Sequence, residues 1–281
     1  MNRQSLPNDG LPTPQIGPWS LQKYRILGLY DTLFSTGMKR RWGLRVYIDL
    51  FAGPGRARIR GSRQIVETSP LLALRVPDPF DRYIFSDRNQ TYVNALRTRV
   101  EREFPKADVR YFAGDCNCLV AEILAAVPEP SRGRSVLSFC FVDPYGIGEV
   151  QFDTIRSLSR YRMDFLILLA LAMDAHRFQR LYTASGNLKI DHFLGDPTWR
   201  EKWRQSRAEG VDFRRFLATR FALQMKHLGY LDTGLEKMME VRSEEYNLPL
   251  YHLAFFSRHE RGYQFWDQVL RYGIDQLSLF G

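Results

Sequence analysis

Four apolar runs in this 281-residue chain end in an aspartate, and their spacing limits the fold more than any other feature. The runs close at Asp49, Asp87, Asp115 and Asp143, at intervals of 38, 28 and 28 residues. Each interval fits one strand, one helix and their loops. The runs are continuously apolar rather than alternating, as strands buried on both faces are, so they predict a parallel sheet covered by helices on both sides. In such a sheet a ligand sits outside the carboxyl ends of the strands, which is where these acids fall.

The spacing of apolar residues predicts a helix over 19–34, with Leu21, Tyr24, Leu27, Leu29, Tyr30 and Leu33 at near-helical intervals. Strands follow over 45–50, 82–85, 109–113, 135–142 and 165–172, and helices over 69–74 (Pro70 in the first turn), 91–104, 118–127 and 152–161. Past Asp174 the pattern changes to irregular helical material. A helix over 213–228 is closed by Gly229, two strands lie over 238–242 and 250–257, and a final helix covers 262–272. The expected organisation is a flexible arm over 1–18, one α/β domain over 19–272 with a helical insertion or lid over 174–237, and a tail over 273–281.

With 44% hydrophobic residues the chain can bury a large core. Its net charge of +9 and pI of about 9.6 favour a polyanionic partner, nucleic acid first. Arginine greatly outnumbers lysine, which a GC-rich genome produces as well. The three cysteines Cys116, Cys118 and Cys140 form neither a disulfide framework nor a zinc pair, and the histidines at 176, 192, 227, 252 and 259 lack ligand spacing, so no protein-bound metal is expected. The longest apolar run, 165–173, is about half a membrane span. No secretory signal pattern opens the chain, and the expectation is a cytoplasmic protein. Gly-Lys-Ser/Thr and Gly-x-Ser-x-Gly motifs are absent from the sequence, which argues against an NTPase or serine hydrolase.

After the first strand comes Asp49-Leu50-Phe51-Ala52-Gly53-Pro54-Gly55. Glycines here let backbone approach a ligand without a Cβ clash. The third glycine of a dinucleotide fingerprint is missing, and an acid stands before the turn. A carboxylate there suits a cation, and S-adenosylmethionine, with its ammonium and sulfonium, fits. The predicted cofactor residues are Asp49, Phe51, Ala52, Gly53, Gly55, Asp87 toward ribose hydroxyls, Asp115 toward an adenine amine, and Cys116. Each acid alone also reads as a helix cap; the ordered set carries the signal. Asp143-Pro144-Tyr145-Gly146 has the place of the acid-Pro-Pro-aromatic motif of nucleobase amino-methyltransferases, with one proline fewer. Asp143, Pro144 and Tyr145 are the candidate catalytic residues: the acid accepts from an exocyclic amine and the ring stacks on an extruded base. The alternative is a turn with Asp143 capping the next helix. Arg56, Arg58, Arg60 and Arg63 follow the glycine turn and are candidate phosphate contacts, against a solvated loop as the alternative.

The chain resembles the three-Cys-motif partner protein (TcmP) family. The resemblance is carried by residues 47–55, by Ser69-Pro70, by Phe139-Cys140-Phe141-Val142-Asp143-Pro144-Tyr145-Gly146 and by residues 250–259, and it runs from about Trp19 to the end. It implies a Rossmann-like class I methyltransferase fold: a mostly parallel central sheet with helices on both faces and an antiparallel closing strand. It also implies a companion protein of radical-enzyme type bearing three cysteines. The motif layout is similar to ribosomal-RNA adenine methyltransferases as well.

The end of the chain, Gln276-Leu277-Ser278-Leu279-Phe280, resembles the short peptide by which bacterial proteins bind the sliding clamp, with Gln276, Leu277, Leu279 and Phe280 as anchors. Two readings stand: a methyltransferase acting on nucleic acid at a base amine, and a non-catalytic nucleotide- or nucleic-acid-binding subunit serving the companion protein.

Overall fold

The structure is a computed structural model that describes residues 5–171, 179–243 and 248–278, with side chains through 272. The strands are β1 (Gln15–Ile16), β2 (Leu44–Asp49), β3 (Arg56–Ile59), β4 (Ile65–Glu67), β5 (Arg82–Asp87), β6 (Val109–Ala113), β7 (Val136–Val142), β8 (Met163–Leu169), β9 (Met239–Arg242) and β10 (Pro249–Phe256). The helices are α1 (Ser20–Met38), α2 (Ser69–Leu74), α3 (Gln90–Glu103), α4 (Val120–Ala125), α5 (Phe152–Leu158), α6 (Lys189–Leu194), α7 (Trp199–Ala208), α8 (Phe213–His227) and α9 (Glu260–Ser278). Seven strands form a mostly parallel sheet in the order β6-β5-β2-β7-β8-β10-β9, and β1, β3 and β4 form a small second sheet. This is the expected Rossmann-like α/β architecture. β10 is the closing strand, antiparallel to β8 and β9. The chain divides into two units, residues 1–141 with 264–281, and residues 142–263.

In the first unit β2 is central and runs parallel to both β5 and β7. The chain builds outward from β2 to β5 and β6, then returns to the other side of β2 as β7. Strand order therefore reverses at β2/β7, the place where open α/β sheets bind ligands. β7 is buried at all seven positions, as its unbroken apolar run requires. One face of β2 meets α1 through aromatic rings: Tyr30 lies 4.7 Å from Phe139 and Phe34 5.8 Å from Phe80, centroid to centroid, and Tyr47 is fully buried among them. Burial of each ring stabilises the unit by about 1.5–3 kcal/mol.

In the second unit β8 and β10 pair from Phe165↔Phe256 to Leu169↔His252. Helices α6 to α8, from the stretch expected as an insertion, pack around Phe221, which lies 5.0 Å from Phe193, 5.6 Å from Phe152 and 5.9 Å from Phe256. Asp212 caps α8, its side chain accepting from the Arg214 and Arg215 amides. Gly229 follows with φ 86°, the left-handed stop expected there.

The structure corrects several expectations. The stretch before α1 is no free arm: the Arg58 amide donates to Pro14, and Asp9 accepts from Arg99 Nε and Nη2, both at 2.8 Å. Prolines and glycines here shape an extended strap that buried arginine holds, and composition alone conceals the holder. Residues 56–63, read as a loop, belong to the β3–β4 hairpin. α4 starts later than expected because residues 115–119 form a turn, with the Cys118 and Leu119 amides donating to the Asp115 carbonyl. α9 runs to Ser278, so Gln276 and Leu277 lie on a helix rather than in a separate tail, while Leu279 and Phe280 lie outside the described residues, as do 174–178 of the expected insertion.

Candidate functional site

Asp49 ends β2 fully buried, and its Oδ1 accepts from the Phe51 amide at 3.1 Å. This short link bends the chain sharply out of the strand. The next residues are then tied sideways to β5: the Ala52 amide donates to Ser86 O at 2.9 Å and the Gly53 amide to Asp87 Oδ2 at 2.8 Å. The other oxygen of Asp87, Oδ1, accepts from the Asn89 amide at 2.8 Å. Asn89 in turn caps α3. Each carboxylate oxygen has a second lone pair, so Asp87 retains capacity to accept from a hydroxyl.

The two glycines serve different needs. Gly53 has φ 60°, and a Cβ there would meet nothing within 4 Å, so its surroundings are open. Gly55 has φ 86°, and a Cβ there would lie 2.9 Å from Leu96 and 3.0 Å from Leu71, so α2 and α3 close on it. One glycine faces space and the other permits packing. The Pro54 carbonyl between them accepts from Arg99 Nη1 at 2.5 Å; Arg99 is 1% exposed and also donates to Pro12 O. Asp9, which clamps Arg99, has its carboxyl held down to about 2, chiefly by the Arg99 hydrogen bond.

Asp115 Oδ1 accepts from the Asn117 amide at 2.9 Å, and Oδ2 from Arg88 at 3.1 Å. Cys116 is buried, and burial pushes its thiol up to about 12. The first unit thus brings Asp49, Phe51, Ala52, Gly53, Asp87, Asp115 and Cys116 to the ends of β2, β5 and β6.

In the second unit, Asp143 is partly buried, Pro144 buried and Tyr145 81% exposed. The Tyr145 amide donates to Glu149 Oε2 at 2.8 Å, which closes the turn and leaves the ring outside. Tyr251 of β10 lies close enough to Asp143 for that charge, after burial, to raise its phenol well above the usual range.

The four arginines expected as phosphate contacts do not stay together. Arg56 is buried and paired with Asp9 at 3.2 Å and Glu103 at 2.7 Å, so its charge is spent inside the protein. Arg56 opens β3 beside Asp9 and Glu103, whereas the later arginines lie farther along the hairpin. Arg58 is half-buried, and Arg60 and Arg63 are exposed at the hairpin tip.

Asp31 escaped the sequence reading. It sits on α1 four residues after Leu27, within the apolar stripe, and is fully buried. An acid at i+4 on that stripe was the available signal. Among the described residues no group of three or more His, Cys, Asp or Glu could hold a metal, and no helix is long and apolar enough to cross a membrane.

No protein-family model matches the chain, and no curated protein matches its sequence. Among solved structures it is similar to protein LPL1258 from Legionella pneumophila (TM-score 0.41, 13% identity, 57% of this chain and 73% of that one). It is similar to an O-methyltransferase from Bacillus cereus solved in complex with SAH (TM-score 0.48, 12% identity, 88% and 84%). It is also similar to Trm1 from Pyrococcus horikoshii solved with S-adenosyl-L-methionine (TM-score 0.46, 13% identity, 94% and 61%). The fold is read from the strand order and the chemistry of the site from its own residues.

Proposed function

We propose that the chain is an S-adenosylmethionine-dependent methyltransferase-like protein acting on nucleic acid at an exocyclic base amine. The observation that carries this is the set of strand-end acids in the first unit, with Asp87 tied to the Gly53 amide and Asp49 sealed beneath the same turn. A buried negative charge under a glycine turn favours a cationic ligand, and the missing third glycine disfavours a dinucleotide. The residues fit this cofactor: Gly53 offers open space, Asp87 has acceptor capacity for ribose, and Asp115 ends the neighbouring strand for an adenine amine. When bound, the cofactor supplies an electrophilic methyl group.

The chain's own part is positioning. Asp143 accepts a hydrogen from the target amine, which frees its lone pair. The exposed Tyr145 ring stacks on a base that is single-stranded or extruded. The +9 charge draws the polyanion, with Arg60 and Arg63 as the remaining cations at the hairpin tip.

Calorimetry of S-adenosylmethionine with the native chain, Asp49→Ala and Asp87→Ala tests the cofactor half. Binding by the native chain and loss in the variants is expected; absence of native binding overturns the proposal. Transfer of labelled methyl to DNA or RNA tests the acceptor half. Binding without transfer to either favours the second reading, a recognition subunit of a three-Cys-motif protein. The single proline before Tyr145 is the feature that favours that reading. The sliding-clamp peptide is a further partner proposal, tested by clamp affinity after deletion of the last six residues.

A further inference from the structure

Two acids face one core in the first unit. Asp49 closes β2 and Asp31 lies on α1; both are fully buried. Neither oxygen of Asp31 has a hydrogen-bond partner among the described residues. A carboxylate in such a place is rarely left unmatched, so its lack of a partner calls for an explanation. The side chains of β2 that point toward α1 are Arg45, Tyr47 and Asp49, at alternate positions. Arg45 is occupied, donating to Asp81, Ser35 O and Pro79 O. β5 contributes Tyr83, whose phenol donates to Ala73 O and accepts from the Phe80 amide. β7 contributes Phe139 and Phe141 to this face, while its buried thiol Cys140, level with Ile48, points to the other face of the sheet. α2, packed against α1, has no titratable side chain. On α1 itself the buried Lys23 lies eight residues earlier, about 12 Å along the helix, with Nζ over the Tyr24 ring. The core therefore holds two buried acids, with Arg45 of the same strand face bound elsewhere.

We propose that Asp31 is a positioning residue of the ligand site: paired with Asp49, it forms a buried double-acid receptor that favours a ligand carrying a cationic amine at the glycine turn. The inference rests on the methyltransferase-like reading and specifies which part of the cofactor the first unit selects. Burial, and then the Asp49 charge, raise the Asp31 carboxyl well above its ordinary value. Both causes favour the protonated form of Asp31 in the ligand-free chain. A cation arriving at the turn offsets the Asp49 field, Asp31 ionises, and its proton leaves to solvent. Binding thus releases a proton, and by linkage affinity rises with pH.

The test is isothermal calorimetry of S-adenosylmethionine in two buffers of contrasting ionisation enthalpy, between pH 5.5 and 7, below the ordinary α-amino range of about 7.7–8.0. The native chain is expected to release up to one proton and to gain up to tenfold in affinity per pH unit. Asp31→Asn, isosteric with the protonated acid, is expected to bind with no proton release and a flat pH profile. 5′-Methylthioadenosine, which lacks the ammonium and the sulfonium, is expected to bind the native chain without proton release. Proton release unchanged in Asp31→Asn, or equal for the two ligands, overturns the role of Asp31 while leaving cofactor binding intact. No binding of S-adenosylmethionine to the native chain overturns the underlying reading and this inference with it.

Discussion

Asp87 and Asp143 both stand at the end of an apolar strand, yet the structure uses them differently. Asp87 is fastened on each oxygen by a backbone amide, Gly53 on one side and Asn89 on the other, so it fixes the shape of the turn beside it. Asp143 opens a turn whose aromatic member, Tyr145, is 81% exposed, with its amide donating to Glu149. The first arrangement is preformed, as suits a small ligand bound repeatedly in one pose. The second is open, as suits a large acceptor whose base stacks on arrival. A strand-end acid in sequence therefore marks a place in the fold, and its partners decide whether it shapes a pocket or presents a surface.

The largest blow to the preformed side is Arg99→Ala, which strips Asp9 of its two 2.8 Å hydrogen bonds, leaves it only Arg56 at 3.2 Å as a charged partner, and frees the Pro54 carbonyl. Breaking a buried pair costs about 3–5 kcal/mol, read as a lowered urea midpoint. The pair has a pH signature. Asp9 in the fold titrates near 2, below the unfolded carboxylate, so its contribution is full above the unfolded value, about 4, and is lost as pH falls through about 2. Asp9→Asn is expected to be less stable than the native chain at pH 7 and to converge with it in melting temperature toward pH 2.

Next in size is Asp87→Ala. Losing charge-assisted hydrogen bonds worth about 1.5–3 kcal/mol is expected to weaken S-adenosylmethionine binding about 10–150-fold, checked by calorimetry. If affinity is unchanged, the β5 end is not part of a ligand site and the contrast with Asp143 disappears. Asp31→Asn acts in the opposite direction on stability. A buried acid with a raised value in the fold favours folding only below its unfolded range, and at neutral pH it burdens the folded state. The variant is expected to melt higher at pH 7 by the equivalent of about 1–2 kcal/mol, with the gain vanishing near pH 4. The smallest effect on folding falls on the open side. Tyr145→Ala is expected to leave stability within about 0.5 kcal/mol and to weaken single-stranded nucleic acid by about 1–3 kcal/mol in a fluorescence titration. A large loss of stability would place the ring in the core and end the comparison.

Much of this was legible from residue order. Continuous apolar runs gave the strands, because a strand buried on both faces cannot alternate, although β6, at the edge of the sheet, is only half-buried. The acids at their ends followed from the same spacing, as did the glycines at 53 and 55. The clamp of Arg99 on Asp9 and Pro54 was not legible, since its members lie 90 and 45 residues apart and only the packed chain brings them together. The four-arginine series misled for a related reason: Arg56 is paired with Asp9 and Glu103, each 47 residues away in the chain, while Arg60 and Arg63 stayed in solvent.

What the sequence determined by itself was the layering, through local periodicity, and the chemical type of residue at each strand end. Which acid is tied to an amide, which lies buried and unpartnered on α1 and which ring stands in solvent were decided by tertiary structure alone. Burial and hydrogen-bond partnership arise from elements distant in the chain, and no local pattern encodes them.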